Sequence, residues 1–359
     1  MAKLWVYVGT SENAVGRGIY RFPFDTVTGK AGAVELAAEA ARPTFLAIHP
    51  SQRFLYAVNA IGEFQGQKTG AVSAFALDGK TGELRLLNQQ SSGGAGPSHV
   101  VVDREGRNAL VANYGGGSVA CLPIDAEGRL KPPTSVIQHT GASVNPARQE
   151  GPHAHSINLD AANRFAFAAD LGLDQILIYR YDTAPGTLTP HNLPSVATAP
   201  GAGPRHFAFH PSGRFAYVIN ELTSTVTAFR YDADAGVLRE VQTVSTLPEH
   251  FDGANTGAEI DVHPSGKWLY ASNRGHNSVV LFSVDSDKGT LTYVEEQGTG
   301  GFKPRHFGIE PSATYLAVGN QDSDTILVAR VDAGNGRLKP SGILANAPSP
   351  VCIKFLPPK

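Results

Sequence analysis

Apolar and polar residues alternate in short runs along almost the whole chain, and the runs return in a fixed order. The stretch "GPRHFAFHPSGRFAYVINEL", beginning at Gly203, shows the unit: an anchoring Pro, an alternating run, a polar turn and a second alternating run. A period of two marks half-buried β-strands. The unit recurs as "RPTFLAIHPSQRFLYAVNA" from Arg42, "GPSHVVVDREGRNALVANY" from Gly96 and "GPHAHSINLDAANRFAFAADL" from Gly151. It returns as "GAEIDVHPSGKWLYASNR" from Gly257 and "KPRHFGIEPSATYLAVGNQ" from Lys303, and a shortened copy, "SPVCIKFLPPK", starts at Ser349. The anchors Pro43, Pro97, Pro152, Pro204, Ala258, Pro304 and Pro350 are spaced by 54, 55, 52, 54, 46 and 46 residues.

Each strand pair is followed by a third apolar alternation, such as "AVSAFAL", "QILIYRY" or "TILVARV". A fourth run follows an Asp/Gly-rich turn, as in "DADAGVLREV", where Gly fits the positive φ of a tight turn. Four short strands at a period near 50 residues predict an all-β, seven-bladed β-propeller of four-stranded antiparallel blades. We letter the strands A to D from the hub outward. The seventh copy holds only strand A, and the N-terminal runs "LWVYVGT", "GIYRFPF" and "AVELAAE" supply B, C and D. The C-terminal strand therefore pairs with the N-terminal strands and closes the ring, which protects edges that would otherwise invite aggregation. Residues 1–359 read as a single propeller domain, its last blade built from 349–359 plus 1–41.

Composition narrows the function. With 42% apolar and 17% charged residues, the 359-residue chain can bury a large core. A formal net charge of −2 without a basic run gives no footprint for nucleic acid. No run is long and apolar enough for a signal peptide or a membrane span, so the expectation is a cytoplasmic protein without a membrane partner. Cys121 and Cys352 lack zinc-ligand spacing and read as two buried thiols, with a disulfide left open.

Antiparallel pairing puts the start of each strand A beside the end of strand B, at one mouth of the central channel. Starts of A carry Ser98, His99, His153, His155, Arg205, His206, Glu259, Arg305 and His306. Ends of B carry Asn59, Asn113, Tyr114, Asp170, Asn220, Glu221, Asn273, Arg274, Asn320 and Gln321. A polar residue that recurs blade after blade caps loops, and so read Asn59, Asn113, Asp170, Asn273 and Asn320. His49, His210 and His263 recur in the A–B turns and read the same way. The column His99, His206 and His306 is open between hub packing and ligand contact.

Residues that break the repeat carry more information. Nothing in the architecture asks for Glu221 or Arg274 after the B-end Asn, nor for Arg205 and Arg305 where other blades have Thr44 and Ser98. Arg near a hub is costly to desolvate unless it meets an anion. The pair His153 and His155, two apart on a strand, could join Asp170 or Glu259 around zinc, but no further ligand is fixed by spacing and the Arg-rich surroundings oppose a cation. No metal and no cofactor are expected.

Through "GAGPRH", "NEL", the "HS" at 155–156, "GAEIDVHPSGKWLYASNR" and "PRHF" at 304–307, the chain resembles the propeller-type bacterial 6-phosphogluconolactonases, blade by blade. Their lactonase family also includes the fungal 3-carboxy-cis,cis-muconate cyclases. The resemblance implies a His, two Arg and a Glu as catalytic residues, which fall here on His155, Arg205, Glu221 and Arg274. His153 competes with His155 in "GPHAHS". The expected function is hydrolysis of a small anionic sugar lactone, 6-phospho-D-glucono-1,5-lactone above others, with His99, His153, His206, Asn220, Arg305, His306 and Gln321 contacting substrate. Arg305 with Arg205 or Arg274 would hold the phosphate, Glu221 or His155 would be the base, and Arg205 or Arg274 would meet the oxyanion. A carboxymuconate-type lactonising enzyme and a non-catalytic binding propeller stand as alternatives.

Overall fold

The computed structural model describes residues 3–11 and 18–356. Six four-stranded antiparallel sheets follow one another in chain order, and a seventh is assembled from both ends of the chain. This is the seven-bladed propeller that the repeat predicts. Blades 1 to 6 span residues 45–91, 97–138, 154–197, 204–245, 256–298 and 304–346. The one helical element among the described residues is a single 3₁₀ turn, Gln321–Ser323.

Blade 7 takes strand A from Pro350–Leu356 and strands B and C from Lys3–Thr10 and Gly18–Asp25. Trp5 pairs with Leu356, Tyr7 with Lys354 and Gly9 with Cys352, and the Ser11 amide extends the seam to Ser349 O (3.1 Å). Residues 357–359 of the expected closing segment lie outside the described residues. Strand D of this blade differs from expectation: it comes in two pieces, Lys30–Ala31 and Glu35–Glu39. Pro23 in the facing strand has no amide proton, so the ladder breaks opposite it. Cys121 and Cys352 are buried free thiols.

Apolar clusters fill the spaces between neighbouring blades, and one contact recurs at all seven interfaces. The glycine of each C–D turn adopts a positive φ and sits against the residue that opens strand B in the preceding blade, or, where that blade is blade 7, against Trp5, two residues inside that strand. The pairs are Trp5–Gly82, Phe54–Gly128, Asn108–Gly186, Phe165–Gly236, Phe215–Gly289, Trp268–Gly336 and Tyr315–Gly29. Buried Tyr7, Tyr56, Tyr217 and Tyr270 add hydrogen bonds from their hydroxyls to the carbonyls of Gly82, Gly128, Gly289 and Gly336 (2.6–3.1 Å).

Strand A is irregular where it meets the mouth. Ala112 pairs with His99 but Asn113 with Pro97, which leaves Ser98 as the extra residue of a β-bulge. The same bulge isolates His155, Arg205 and Arg305 in blades 3, 4 and 6. In blade 5 the step from Gly257 to Ile260 leaves both Ala258 and Glu259 out of register. The register corrects two repeat anchors. The residues opposite Asp170 and Asn273 are Ala154 and Gly257, not Pro152 and Ala258. His155 therefore belongs to the Arg205 column, and His153 lies outside strand A.

Two outcomes test this frame. Gly289→Ala would add a Cβ overlapping the Phe215 ring at a backbone φ of 73°, within the 64–81° range of these turns. It should lower stability by about 2–4 kcal/mol, read from the denaturant midpoint. Truncation before Pro350 removes the hub strand of blade 7 and should give insoluble or far less stable protein; unchanged melting would refute the closure.

Candidate active site

The backbone at the mouth is repetitive while its side chains are not. The residue after strand B donates its amide to the connection that precedes strand A, as in Tyr114 N to Gly96 O, Leu171 N to His153 O and Glu221 N to Gly203 O (2.7–3.0 Å). That position carries Ala60, Tyr114, Leu171, Glu221 and Gln321 in different blades. The fold fixes the main chain there and leaves the side chain to function.

Glu221 is the centre of the site. Its Oε2 accepts from Arg205 Nε (3.0 Å) and lies 2.9 Å from Arg274 Nη2, while Oε1 accepts from Arg148 Nη2 (2.6 Å). Arg205 Nη1 also donates to Ala258 O (2.5 Å), and Arg274 Nη2 to Gly257 O (2.8 Å). Arg205 and Glu221 are only 2% and 5% exposed. Burial alone would raise the Glu221 pKa, but Arg274, Arg205 and Arg148 outweigh it and hold the carboxyl at about 2. Burial, then the charges of Arg274 and Arg305, push Arg205 down to about 9; burial and Arg274 push Arg305 down to about 10. Both remain cationic at neutral pH. Arg305 is half-buried and makes no hydrogen bond among the described residues.

His155 stands in the same bulge column, 4% exposed, 5.5 Å from the Tyr114 ring and 5.1 Å from the His206 ring. Neither of its ring nitrogens has a hydrogen-bond partner among the described residues, and Nδ1 is fully buried. Burial, then Arg205, lowers its pKa well below 6.5, so the imidazole is neutral.

Below this cluster the channel is floored. Phe45 packs against His99, His206 and His306 at ring distances of 4.3, 5.6 and 5.5 Å. His206 Nδ1 donates to Glu259 (2.9 Å). His306 Nδ1 accepts from Ile353 N (3.2 Å), and its Nε2 faces the same carboxylate at 3.3 Å. His99 Nδ1 lies 3.5 Å from Ile157 N.

Several sequence expectations change here. Asn220 acts as a cap through its amide nitrogen, which donates to the Thr225 and Thr227 hydroxyls (2.9 and 3.0 Å), while its buried Oδ1 has no partner among the described residues. Asn113 and Asn320 make comparable bonds. His99 and His306 stand in the floor, with their Nδ1 atoms facing backbone amides. His153 sits at the rim, stacked on Tyr114 (4.6 Å) with Nε2 on Glu150 (3.2 Å), and does not compete with His155 for the column. Gln321 opens the 3₁₀ turn, half-buried, with no contact tying its side chain to the arginines. Glu221 was a leading candidate for the base, but three guanidinium partners make its carboxylate a weak one.

Arg148 is the member that sequence reasoning missed. It lies in the connection of residues 139–153, the longest between two blades. A long connection at the mouth that receives the strand A starts was the available signal. Asp170 holds the end of that connection: Oδ1 accepts from His153 N (2.7 Å) and Oδ2 from His139 Nδ1 (2.6 Å). Among the described residues no group of His, Cys, Asp and Glu is arranged to hold a metal.

Residues 5–355 match the model of the lactonase family described as a seven-bladed β-propeller. The chain is 37% identical to the 6-phosphogluconolactonase of Bacillus subtilis, over 99% of both chains. It is 33% identical to that of Formosa agariphila, over 96% of this chain and 98% of the relative. Among solved structures, the periplasmic gluconolactonase of Pseudomonas aeruginosa superposes with a TM-score of 0.92 at 32% identity, over 99% of each chain. The chain belongs to the seven-bladed lactonase family and is a lactone-hydrolysing enzyme.

The four buried imidazoles give a pH test. His99, His155, His206 and His306 are each held well below 6.5, first of all by burial. Below about pH 6.5 the unfolded chain takes up protons that the native state refuses. Stability should therefore be full above that pH and fall below it, by up to about 1.4 kcal/mol per pH unit for each His. Melting temperatures from about pH 8 down to 5 should show the decline; a flat profile would mean that these rings accept protons in the fold.

Proposed function

We propose that this enzyme hydrolyses 6-phospho-D-glucono-1,5-lactone to 6-phosphogluconate, as in the pentose phosphate pathway, without a cofactor. The observation that carries the reading is the surplus of positive charge at the mouth. Arg148, Arg205, Arg274 and Arg305 are gathered around the carboxylate of Glu221. Guanidinium groups in such surplus call for an anionic ligand, and a phosphorylated lactone brings a dianion at one end and a developing oxyanion at the other. The names of the Bacillus and Formosa relatives support the phosphorylated substrate.

In this reading Arg305, free of hydrogen-bond partners, binds the phosphate. Arg205 and Arg274, held by Glu221 and by backbone carbonyls, keep donors aimed at the lactone carbonyl oxygen. Preorganised charge of this kind needs no reorganisation as the tetrahedral oxyanion forms. His155 is neutral and unpaired, the state a general base needs. It takes a proton from the attacking water and returns it to the ring oxygen as the carbon–oxygen bond breaks. Glu221 stays ionised and orients the guanidinium groups.

Assay of the purified protein on this lactone, corrected for spontaneous hydrolysis and run with and without EDTA, tests the activity. A rate no faster than background, with turnover of a carboxymuconolactone instead, would overturn the substrate assignment. His155→Gln should lower kcat by about 10²–10⁴-fold with KM little changed. Glu221→Gln should lower kcat and also destabilise the fold, because Arg205 loses its buried counter-ion. Arg305→Gln should chiefly raise KM. Full kcat in the His155 variant would return the base role to Glu221.

A further inference from the structure

The three guanidinium groups on Glu221 are not held alike. Arg205 stands at a strand bulge and Arg274 ends a strand, and each also bonds a backbone carbonyl. Arg148 comes from a connection, and its side chain is 38% exposed. It has one strong partner, Glu221 Oε1 at 2.6 Å, and one long contact, Tyr114 Oη at 3.4 Å. The chain that carries it is fixed. Ser143 Oγ donates to Asp174 Oδ2 (2.6 Å), and the fully buried Gln149 donates to Asp174 Oδ1 (2.8 Å) and Leu171 O (2.9 Å). A fixed stalk thus presents a partly exposed guanidinium whose one strong tie is to the site's carboxylate.

We propose that Arg148 determines specificity for phosphorylated lactones: the substrate phosphate replaces Glu221 as the partner of its guanidinium, and Glu221 Oε1 is freed in the same event. The proposal rests on the phosphorylated-lactone reading above. A phosphate dianion offers more charge than a carboxylate and accepts two parallel N–H donors from the planar fork. Arg305, unbonded and within electrostatic range of Glu221, supplies the second cation for that dianion. Arg205 and Arg274 stay in place, since Oε2 and the carbonyls of Ala258 and Gly257 keep them. The freed Oε1 becomes an acceptor in a desolvated pocket, open to a hydroxyl of the sugar. A lactone without the phosphate leaves Arg148 closed over that oxygen.

The test compares wild type, Arg148→Gln and Arg148→Lys on 6-phosphogluconolactone and on glucono-1,5-lactone, and titrates each protein with inorganic phosphate by calorimetry. In Arg148→Gln the ratio of kcat/KM between the two lactones should fall by about 10- to 100-fold, through KM, and phosphate affinity should fall by a similar factor. Arg148→Lys should recover part of both, since it keeps the charge and loses the fork. Equal loss on both lactones, or unchanged phosphate affinity, overturns the proposal. Phosphate titration needs no turnover, so the two readings fail separately. Phosphate bound through Arg148 without turnover of the phosphorylated lactone would sink the activity and support the anion site. Turnover with an unaltered ratio in Arg148→Gln would sink only the role of Arg148.

Discussion

One buried carboxylate makes the channel mouth possible. Arg205 and Arg274 lie where water cannot fully screen them, and alone they would repel each other. Glu221 turns that repulsion into a framework, and its three ion pairs run to different parts of the ring: the connection before blade 3, strand A of blade 4 and strand B of blade 5. A buried ion-pair set of this kind adds little net stability, because desolvation offsets the Coulomb gain. Its effect is geometric. It fixes where two guanidinium groups point, and it leaves the cluster with surplus positive charge for a ligand to neutralise.

The propeller supplies the positions before any chemistry is chosen. Each interface is set by a glycine turn over a residue at or near the start of strand B in the preceding blade, so the outer parts of the blades cannot slide past one another. At the hub, the bulge at the start of strand A lifts one residue out of the ladder in each of blades 2, 3, 4 and 6. Bulges re-aim a side chain while the sheet around it stays paired. Ser98, His155, Arg205 and Arg305 are those lifted residues. His155, Arg205 and Arg305 therefore share one architectural position, while Glu221 and Arg274 come from the ends of strand B beside it, so both sets face the same mouth.

Much of this was legible in the sequence. The period revealed the blades, the shortened seventh copy revealed the closure, and the repeat-breaking Arg205, Glu221 and Arg274 marked the mouth. What was lost has physical causes. The Asn220 amide serves two threonines whose proximity depends on strand pairing, which spacing alone does not display. In blade 3 the Pro152 anchor hid a two-residue offset, because Ala154 stands opposite Asp170 where other blades have Pro. Arg148 belongs to no repeat, so no column could expose it. Alternation also cannot say how many partners a charge has. Glu221 read as a base because its three arginines come from segments far apart in the chain.

The floor gives the channel a direction. Phe45 and the imidazoles of His99, His206 and His306 close it between the arginine mouth and a cavity of about 350 Å³ on the other side. That cavity is lined by Glu259, Asp261 and Lys354 among apolar residues; Lys354 offsets Glu259, and burial, then Glu259, raises the Asp261 pKa to about 7, so little net charge is left there. Neutral rings are the right material for the partition. A charged layer would either neutralise the arginines or repel them further, whereas unprotonated imidazoles beside Phe45 keep the dielectric low beneath the site. Low dielectric strengthens every interaction between the guanidinium groups and an oxyanion above it. Burial holds the same imidazoles neutral, and burial followed by the charge of Arg205 keeps His155, their upper neighbour, unprotonated as well. The guanidinium excess is thus confined to one end of the channel, and in the reading proposed above an anionic lactone is drawn to that end, to His155 and the two strand-held arginines.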